Sequence, residues 1–204
     1  MIGIVNYGSG NVQAIANIYN RTNIPYKIIN KSDDLNDVDK LILPGVGAFD
    51  ETMKVLNSSG LKEKLDEEVL INKKPVLGIC VGMQILSDGS EEGDLKGLGW
   101  IKGYVKKFDI LKVREKPFTP HMGWNNVDPK IQHDLFNSVE NDLGFYFVHS
   151  YYFEASNVNN ILATTDYGDK FTSAVINENI YGVQFHPEKS HSNGIQLLSN
   201  FSRL

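Results

Sequence analysis

The sequence predicts an α/β fold, with a central, mostly parallel sheet in the first half of the chain and an additional antiparallel section in the second. Before Ser90, short apolar runs of strand length alternate with segments whose apolar residues recur at helical spacing. After Ser90, glycines separate apolar runs that have no helical segment between them. The alternation predicts a parallel sheet covered by helices on both faces, and such sheets bind ligands at the carboxyl ends of their strands.

Each element of the first half follows from its apolar residues. Strands are predicted at 2–6, 26–30, 40–43 and 76–79. Helices are predicted from apolar residues that fall on one face, which are Val12, Ile15, Ala16 and Tyr19, then Phe49, Met53 and Leu56, then Leu61, Leu65 and Val69. Strands and helices therefore alternate up to the strand at 76–79.

The second half is predicted to be antiparallel or mixed sheet. Strands are predicted at 101–108, 145–153, 161–165 and 171–176. A late buried strand at 180–185 leads directly into His186, and a closing helix begins near Ser192. The short connections between these runs leave no room for helical crossovers.

The composition indicates one globular domain over residues 1–204. Hydrophobic residues make up 41% of the chain and charged residues 22%, and no linker divides it. A net charge of −5 argues against general nucleic-acid binding. No apolar run approaches the ~18 residues of a membrane span, and the first residues lack the pattern of a signal peptide. We therefore expect no membrane association and a cytoplasmic location.

No cofactor and no metal are predicted. The single cysteine excludes an internal disulfide framework and a Cys-rich zinc site, which fits a reducing compartment. Gly8-Ser9-Gly10 follows a predicted strand, as phosphate-binding turns do. The third glycine and the downstream acidic residue of a dinucleotide site are not evident, so this turn is a weak signal.

The single cysteine, Cys80, lies where a buried strand turns into a helix. Gly78 and Gly82 permit a tight turn and leave space for a molecule to approach the sulfur. Unpaired N–H groups and the dipole at a helix start favour the thiolate. A lone cysteine is more often a small buried hydrophobic residue. The flanking glycines and the strand-turn-helix context favour a nucleophile instead.

A cysteine nucleophile needs a base, and His186 is the best placed of the five histidines. It follows a buried strand and precedes a proline, and Glu188 stands two residues further on. In an extended segment these two side chains point to the same face, so the carboxylate can orient the imidazole. Spacing alone makes this pair a weak signal. His121 and His149 lie among aromatic residues, which favours packed and hydrogen-bonded histidines.

Motifs along the whole chain resemble those of the class I, or triad, glutamine amidotransferase family. They occur at 44–49, 78–84, 120–125, 147–151, 182–188 and 186–190. The resemblance implies a flavodoxin-like three-layer fold and hydrolysis of glutamine to glutamate and ammonia. It further implies that Cys80 is the nucleophile, that His186 is its base and then the acid for the leaving ammonia, and that Glu188 orients His186.

The resemblance also implies the substrate-binding residues. Attack on the amide creates an oxyanion, which needs preorganised hydrogen-bond donors. The N–H of Val81 is one natural donor, and the loop Gly45-Val46-Gly47 is expected to supply the other. Gln84 matches the family position that contacts the amino-acid portion of glutamine. His149, Ser150 and Tyr151 complete the expected set.

Within the family, the motifs are most similar to those of a glutaminase subunit that passes ammonia to a separate (β/α)8-barrel cyclase in histidine biosynthesis. That likeness implies a heterodimer. The first turn departs from the usual pattern, because Asn6 stands where the family commonly has Asp. An alternative is therefore a paralogous glutaminase that supplies ammonia to bacterial surface-sugar biosynthesis. Two further alternatives are a non-catalytic scaffold with the same fold and a cysteine peptidase on a similar sheet.

Overall fold

Strands and helices alternate through the first half of the chain, and strands dominate the second. A computed structural model describes residues 1–109, 111 and 119–204. Its strands are β1 (Ile2–Val5), β2 (Tyr26–Ile29), β3 (Lys40–Gly45), β4 (Val76–Cys80), β5 (Gly89–Ser90), β6 (Gly103–Lys107), β7 (His121–Asn125), β8 (Asp128–Pro129), β9 (Phe145–His149), β10 (Tyr151–Ala155), β11 (Ile161–Tyr167), β12 (Asp169–Asn177) and β13 (Ile180–Val183). Its α-helices are α1 (Val12–Arg21), α2 (Phe49–Ser58), α3 (Lys62–Asp66), α4 (Val81–Gln84) and α5 (His191–Arg203). Short 3-10 turns lie at Ser32–Asp37, Asp134–Phe136, Asn141–Leu143, Val158–Asn160 and Pro187–Lys189.

One large sheet contains both the parallel and the antiparallel parts. Its parallel part has the order β2, β1, β3, β4, β13. The antiparallel part continues from β13 through β12 and β10 to β6. β5 pairs parallel with β6, and β11 joins β12 to β8. The predicted fold class, a mostly parallel sheet with an antiparallel section, is confirmed. β7 and β9 form a separate two-stranded sheet.

The helices bury the apolar residues that predict them, including Tyr19, Phe49 and Leu65. α1 contacts α5, where the Tyr19 hydroxyl donates to the Leu198 carbonyl at 3.3 Å. Helix α3 continues into a π-helix at Glu67–Ile71, which the apolar spacing does not reveal. None of the helices in the described part of the chain combines the length and apolar content needed to cross a membrane.

The structure corrects two details of the predicted elements. The apolar run at 145–153 is two strands, β9 and β10, which belong to different sheets. Only the polar pair His149-Ser150 interrupts its apolar residues, and no glycine or proline marks the point where the chain changes sheet. The helix after Cys80 has only four residues, and the apolar residues after Gln84 lie beyond its end. A helix this short contributes little dipole to the sulfur.

Candidate active site

Cys80 occupies a strained turn at the end of β4. Its φ of 55° and ψ of −114° are unfavourable for a residue with a side chain, and such strain concentrates at functional sites. Backbone contacts hold the turn. A Cβ on Gly82 would lie 1.9 Å from the Leu43 carbonyl oxygen, and one on Gly45 would lie 2.4 Å from the Gly82 nitrogen. Glycines therefore let β3 press directly against the turn that displays the sulfur.

His186 lies just beyond β13, the strand that pairs in parallel with β4, and so reaches the same edge of the sheet as Cys80. Its Nδ1 is 2.7 Å from Oε1 of Glu188, and both side chains are 2% exposed. Because a carboxylate only accepts, Nδ1 carries the proton. The Cys80 side chain lines the same cavity as the ring and interacts with it electrostatically. A thiol, an imidazole and a carboxylate thus lie together at this edge of the sheet.

The charge state of His186 follows from these contacts. Burial lowers the pKa of the His186 ring, whereas the hydrogen bonds and charges of Cys80 and Glu188 raise it, and the net result is a pKa of about 10. The ring is therefore protonated at neutral pH when it faces the sulfur as a thiolate. This is the ion pair that a cysteine nucleophile needs before attack.

A cavity of about 400 Å³ opens beside Cys80, within the range of small-molecule sites. Its lining includes most of the residues expected to bind substrate, namely Val46, Gly47, Val81, Gln84, His149, Ser150 and Tyr151. Gly45 and Glu188 lie behind this lining, where Gly45 packs against the backbone of Val81 and Gly82, and Glu188 contacts His186. Both support residues that face the cavity.

The cavity is also lined by Glu92, which lies outside every motif of the sequence, and by Pro120 and Val148, which lie within family motifs but are not among the residues expected to bind substrate. Glu92 Oε2 accepts a hydrogen bond from the Phe49 N–H at 2.8 Å, so the carboxylate is anchored at the start of α2. Glu92 lies in a polar segment between short strands, and nothing in its spacing to Cys80 marks it. Glu92 reaches the cavity only because its segment folds back against the start of α2.

The loop Gly45-Val46-Gly47 is held by the turn that follows β1. The Val46 N–H donates to the Ser9 hydroxyl oxygen at 3.0 Å, and that hydroxyl lies 3.1 Å from the Val46 carbonyl oxygen. The Tyr7 hydroxyl donates to the Pro44 carbonyl at 2.5 Å. Burial raises the pKa of Tyr7, so its hydroxyl remains a donor. In this structure the Val46 N–H is therefore bonded to Ser9.

The cavity is also lined by His149, which forms a buried pair with His121, and the contacts of the pair fix both tautomers. His149 Nδ1 lies 2.7 Å from the Tyr151 carbonyl oxygen, which can only accept, so Nδ1 carries the proton. His149 Nε2 must then accept from His121 Nδ1 at 3.0 Å. His121 Nε2 in turn accepts from the Asn125 amide at 3.2 Å. The expectation of packed, hydrogen-bonded histidines is confirmed.

Both histidines of this pair are neutral. Burial lowers the pKa of His121 to about 4. Burial likewise lowers the pKa of His149, to about 3, although its hydrogen bond to the Tyr151 carbonyl opposes the shift. Since both ring nitrogens of His149 are engaged within the protein, this residue shapes the cavity wall rather than offering it a hydrogen-bonding atom.

Comparison with known proteins agrees with this geometry. Residues 3–203 match the family model described as glutamine amidotransferase class-I. The chain belongs to this family. It is 52% identical over 204 residues to the imidazole glycerol phosphate synthase subunit HisH of Bdellovibrio bacteriovorus, with both chains covered completely. The subunit of the same name in Leptospira borgpetersenii is 46% identical over 204 residues, again with complete coverage of both.

Solved structures of other proteins share the fold. The PurLQS structure from Thermotoga maritima matches with a TM-score of 0.72 at 17% identity, covering 99% of this chain and 96% of the other. A glutamine amidotransferase from Thermotoga maritima matches with a TM-score of 0.63 at 16% identity, covering 92% and 75%. Identities this low establish the class I glutamine amidotransferase fold and carry no argument about substrate.

Proposed function

We propose that this chain is the glutaminase subunit of imidazole glycerol phosphate synthase, which hydrolyses glutamine and passes ammonia to a cyclase subunit. The observation that carries the proposal is that Cys80, His186 and Glu188 lie together at the edge of a cavity of substrate size. Full-length relatives that carry the synthase name support this assignment over a glutaminase of surface-sugar biosynthesis.

The catalytic steps follow from the charge state of the triad. The Cys80 thiolate attacks the side-chain carbonyl carbon of glutamine while His186 holds the proton. His186 then protonates the amide nitrogen, the C–N bond breaks, and ammonia leaves a thioester on the sulfur. The neutral ring next removes a proton from water, the resulting hydroxide attacks the thioester, and glutamate departs as the thiolate re-forms. Glu188 keeps the Nδ1 proton in place throughout.

Each tetrahedral intermediate carries an oxyanion that needs donors. Val81 begins α4, where its N–H has no intrahelical acceptor, and it lines the cavity next to the sulfur. The second donor in the proposal comes from the loop Gly45-Val46-Gly47. Because the Val46 N–H is bonded to Ser9, the loop must rearrange before that group can serve. Loss of one such donor costs about 3 kcal/mol in barrier height.

The amino-acid portion of glutamine has its own partners in the proposal. The Gln84 amide nitrogen donates to the Tyr151 carbonyl at 3.1 Å, so its oxygen is the atom available to the substrate ammonium. The Glu92 carboxylate lines the same cavity and supplies a negative charge for the substrate ammonium. Ser150 and Tyr151 line the same cavity as Cys80.

The partner in the proposal is a (β/α)8-barrel cyclase that forms a heterodimer with this chain. Glutamine is the substrate of this chain, and no nucleic acid is among its partners. Trp124, 47% exposed on β7 and stacked 5.1 Å from the His191 ring, suits an interface anchor. The cytoplasm expected from the sequence is the location that a free thiol nucleophile favours.

The test is to assay Cys80→Ala in complex with the cyclase from the same organism. Turnover of the complex with glutamine should fall to background, whereas turnover with added ammonium salts should stay close to that of the wild type, since only ammonia production needs the thiol. Glutamate release measured in parallel should also vanish. Equal loss with both nitrogen sources would contradict this division of labour.

A further inference from the structure

A buried glutamine, Gln184, faces the nucleophile from a position that the catalytic steps leave unused. In the parallel pair of β4 and β13, Val183 is opposite Ile79, so the next residues, Gln184 and Cys80, lie side by side. Gln184 is fully buried, and its Nε2 is 3.8 Å from the Cys80 sulfur. We infer that Gln184 is a positioning residue that donates an N–H to the sulfur and fixes its place for attack.

The direction of this hydrogen bond is set by the next residue in the network. The Gln84 amide nitrogen donates to the Tyr151 carbonyl oxygen, which can only accept. The same nitrogen lies 3.1 Å from Gln184 Oε1 and donates its second proton there. With its oxygen occupied in this way, Gln184 must turn its nitrogen toward the sulfur. The amide orientation is therefore imposed rather than free to invert.

The far end of the network is the histidine pair. The Tyr151 carbonyl accepts from His149 as well as from Gln84, and His149 accepts from His121 on β7. Each link from His121 to Cys80 therefore has one donor and one acceptor, and the side chains that form it are all buried. Satisfied buried networks of this kind hold their members in a single arrangement. The Gln184 N–H is thus aimed by contacts that extend across the cavity wall.

A neutral donor at the sulfur can stabilise the thiolate at steps where His186 cannot. A hydrogen bond to a charged acceptor is stronger than one to a neutral acceptor, so the Gln184 N–H favours the thiolate over the thiol. In the proposed reaction, on which this step rests, His186 is occupied with protons of ammonia and water. Gln184 keeps one donor on the sulfur when the thiolate departs from the thioester. Tyr7 and His186 are titratable side chains that also act on Cys80.

Alkylation of Cys80 tests the inference without glutamine or a partner. Cys80 is the single cysteine, so the addition of iodoacetamide to the full chain can be followed by intact mass from pH 5 to 9.5. In Gln184→Met, which has similar length but no donor, the midpoint of the rate profile should rise by roughly one pH unit, and the rate at pH values below the wild-type midpoint should fall about tenfold. Gln84→Met retains Gln184 but loses its orienting partner, so a smaller shift in the same direction is expected.

The matched control is Gln132→Met at an exposed glutamine, which should leave the midpoint unchanged. A wild-type midpoint in a folded Gln184→Met chain would overturn the inference. If that variant does not fold, the side-chain amide signal of Gln184 in the 15N-labelled wild type decides the question. The signal should move as Cys80 titrates, and a fixed signal would overturn the inference. Absence of glutaminase activity in the wild type would instead count against the proposed function.

Discussion

The two walls of the cavity are built by different means. On the wall formed by β3, β4 and β13, backbone touches backbone through glycines, and the reactive side chains stand at the ends of adjacent parallel strands. The wall that carries His149 and Tyr151 comes from the antiparallel second half and is fixed by side-chain hydrogen bonds. Aromatic rings such as Phe108 and Phe171 pack around its two histidines.

These two kinds of construction determine where the site tolerates change. On the wall formed by β3, β4 and β13, here called the glycine wall, a backbone contact without spare space cannot absorb even one methyl group, so substitutions of its glycines should act as all or none. On the wall that carries His149 and Tyr151, here called the histidine wall, each substitution removes one hydrogen bond of the network. Substitutions there should therefore have graded effects.

The largest effect is expected for Gly82→Ala. The new Cβ would meet the Leu43 carbonyl oxygen at 1.9 Å, so β3 and the Cys80 turn must separate. We expect a loss of more than about 3 kcal/mol in the free energy of unfolding, measured by urea denaturation. Gly60→Ala is the control, because its Cβ meets open space and only its φ of +72° opposes the change, which costs about 1 kcal/mol. Equal stability of the two variants would refute the contrast.

The next effect separates the members of the triad on the glycine wall. His186→Ala should slow labelling of Cys80 by a glutamine-analogue diazo-ketone by roughly a thousandfold, since the base is lost. Glu188→Gln leaves nucleophile and base in place and removes the charge at 2.7 Å from Nδ1, so it should slow labelling less than His186→Ala does. Peptide mapping should place the adduct on Cys80. If Glu188→Gln slowed labelling as much as His186→Ala, the carboxylate would do more than orient the ring.

The same contrast explains what the sequence could predict. Cys80, its glycines and the His186 to Glu188 spacing are local patterns, and family motifs identify them from residues near one another in the chain. Glu92 and Gln184 become parts of the site only through pairings between distant segments. The strand β7 is largely exposed and offers no apolar run, so its pairing with β9 leaves no local signal either.

An intermediate effect is expected from acid on the histidine wall. The pKa values of His121 and His149 are lowered to about 4 and about 3, so the unfolded chain binds more protons than the folded chain below pH 6.5. The free energy of unfolding should therefore fall as the pH drops from 6.5 towards 4, by up to about 1.4 kcal/mol per pH unit for each histidine. Below about pH 5.5 His186 adds no slope, since its raised pKa keeps it protonated in the folded chain and the unfolded chain is protonated there as well.

His121→Phe provides the check on this slope. Urea denaturation of the wild type and the variant at pH 7.5 measures the effect of the lost hydrogen bond and packing. The decrease in the free energy of unfolding between pH 6.5 and 4.5 then measures the titration alone. The decrease should be shallower in the variant. An identical slope would show that the acid sensitivity arises outside the histidine pair.

The smallest effect is expected where a side-chain hydrogen bond holds a glycine-rich backbone segment, at the contact between Ser9 and the loop Gly45-Val46-Gly47. The Ser9 hydroxyl is bonded to both the N–H and the carbonyl of Val46, which keeps that N–H from an oxyanion. Ser9→Ala removes both hydrogen bonds, each worth about 1 kcal/mol. The isolated chain should then hydrolyse glutamine about three- to tenfold faster, while the complex with the liganded cyclase changes little. Ser58→Ala, at an exposed serine of α2, is the control and should leave both rates unchanged. A slower Ser9→Ala enzyme would mean that the Ser9-bonded loop is already the active arrangement, and that the second donor is a group other than the Val46 N–H.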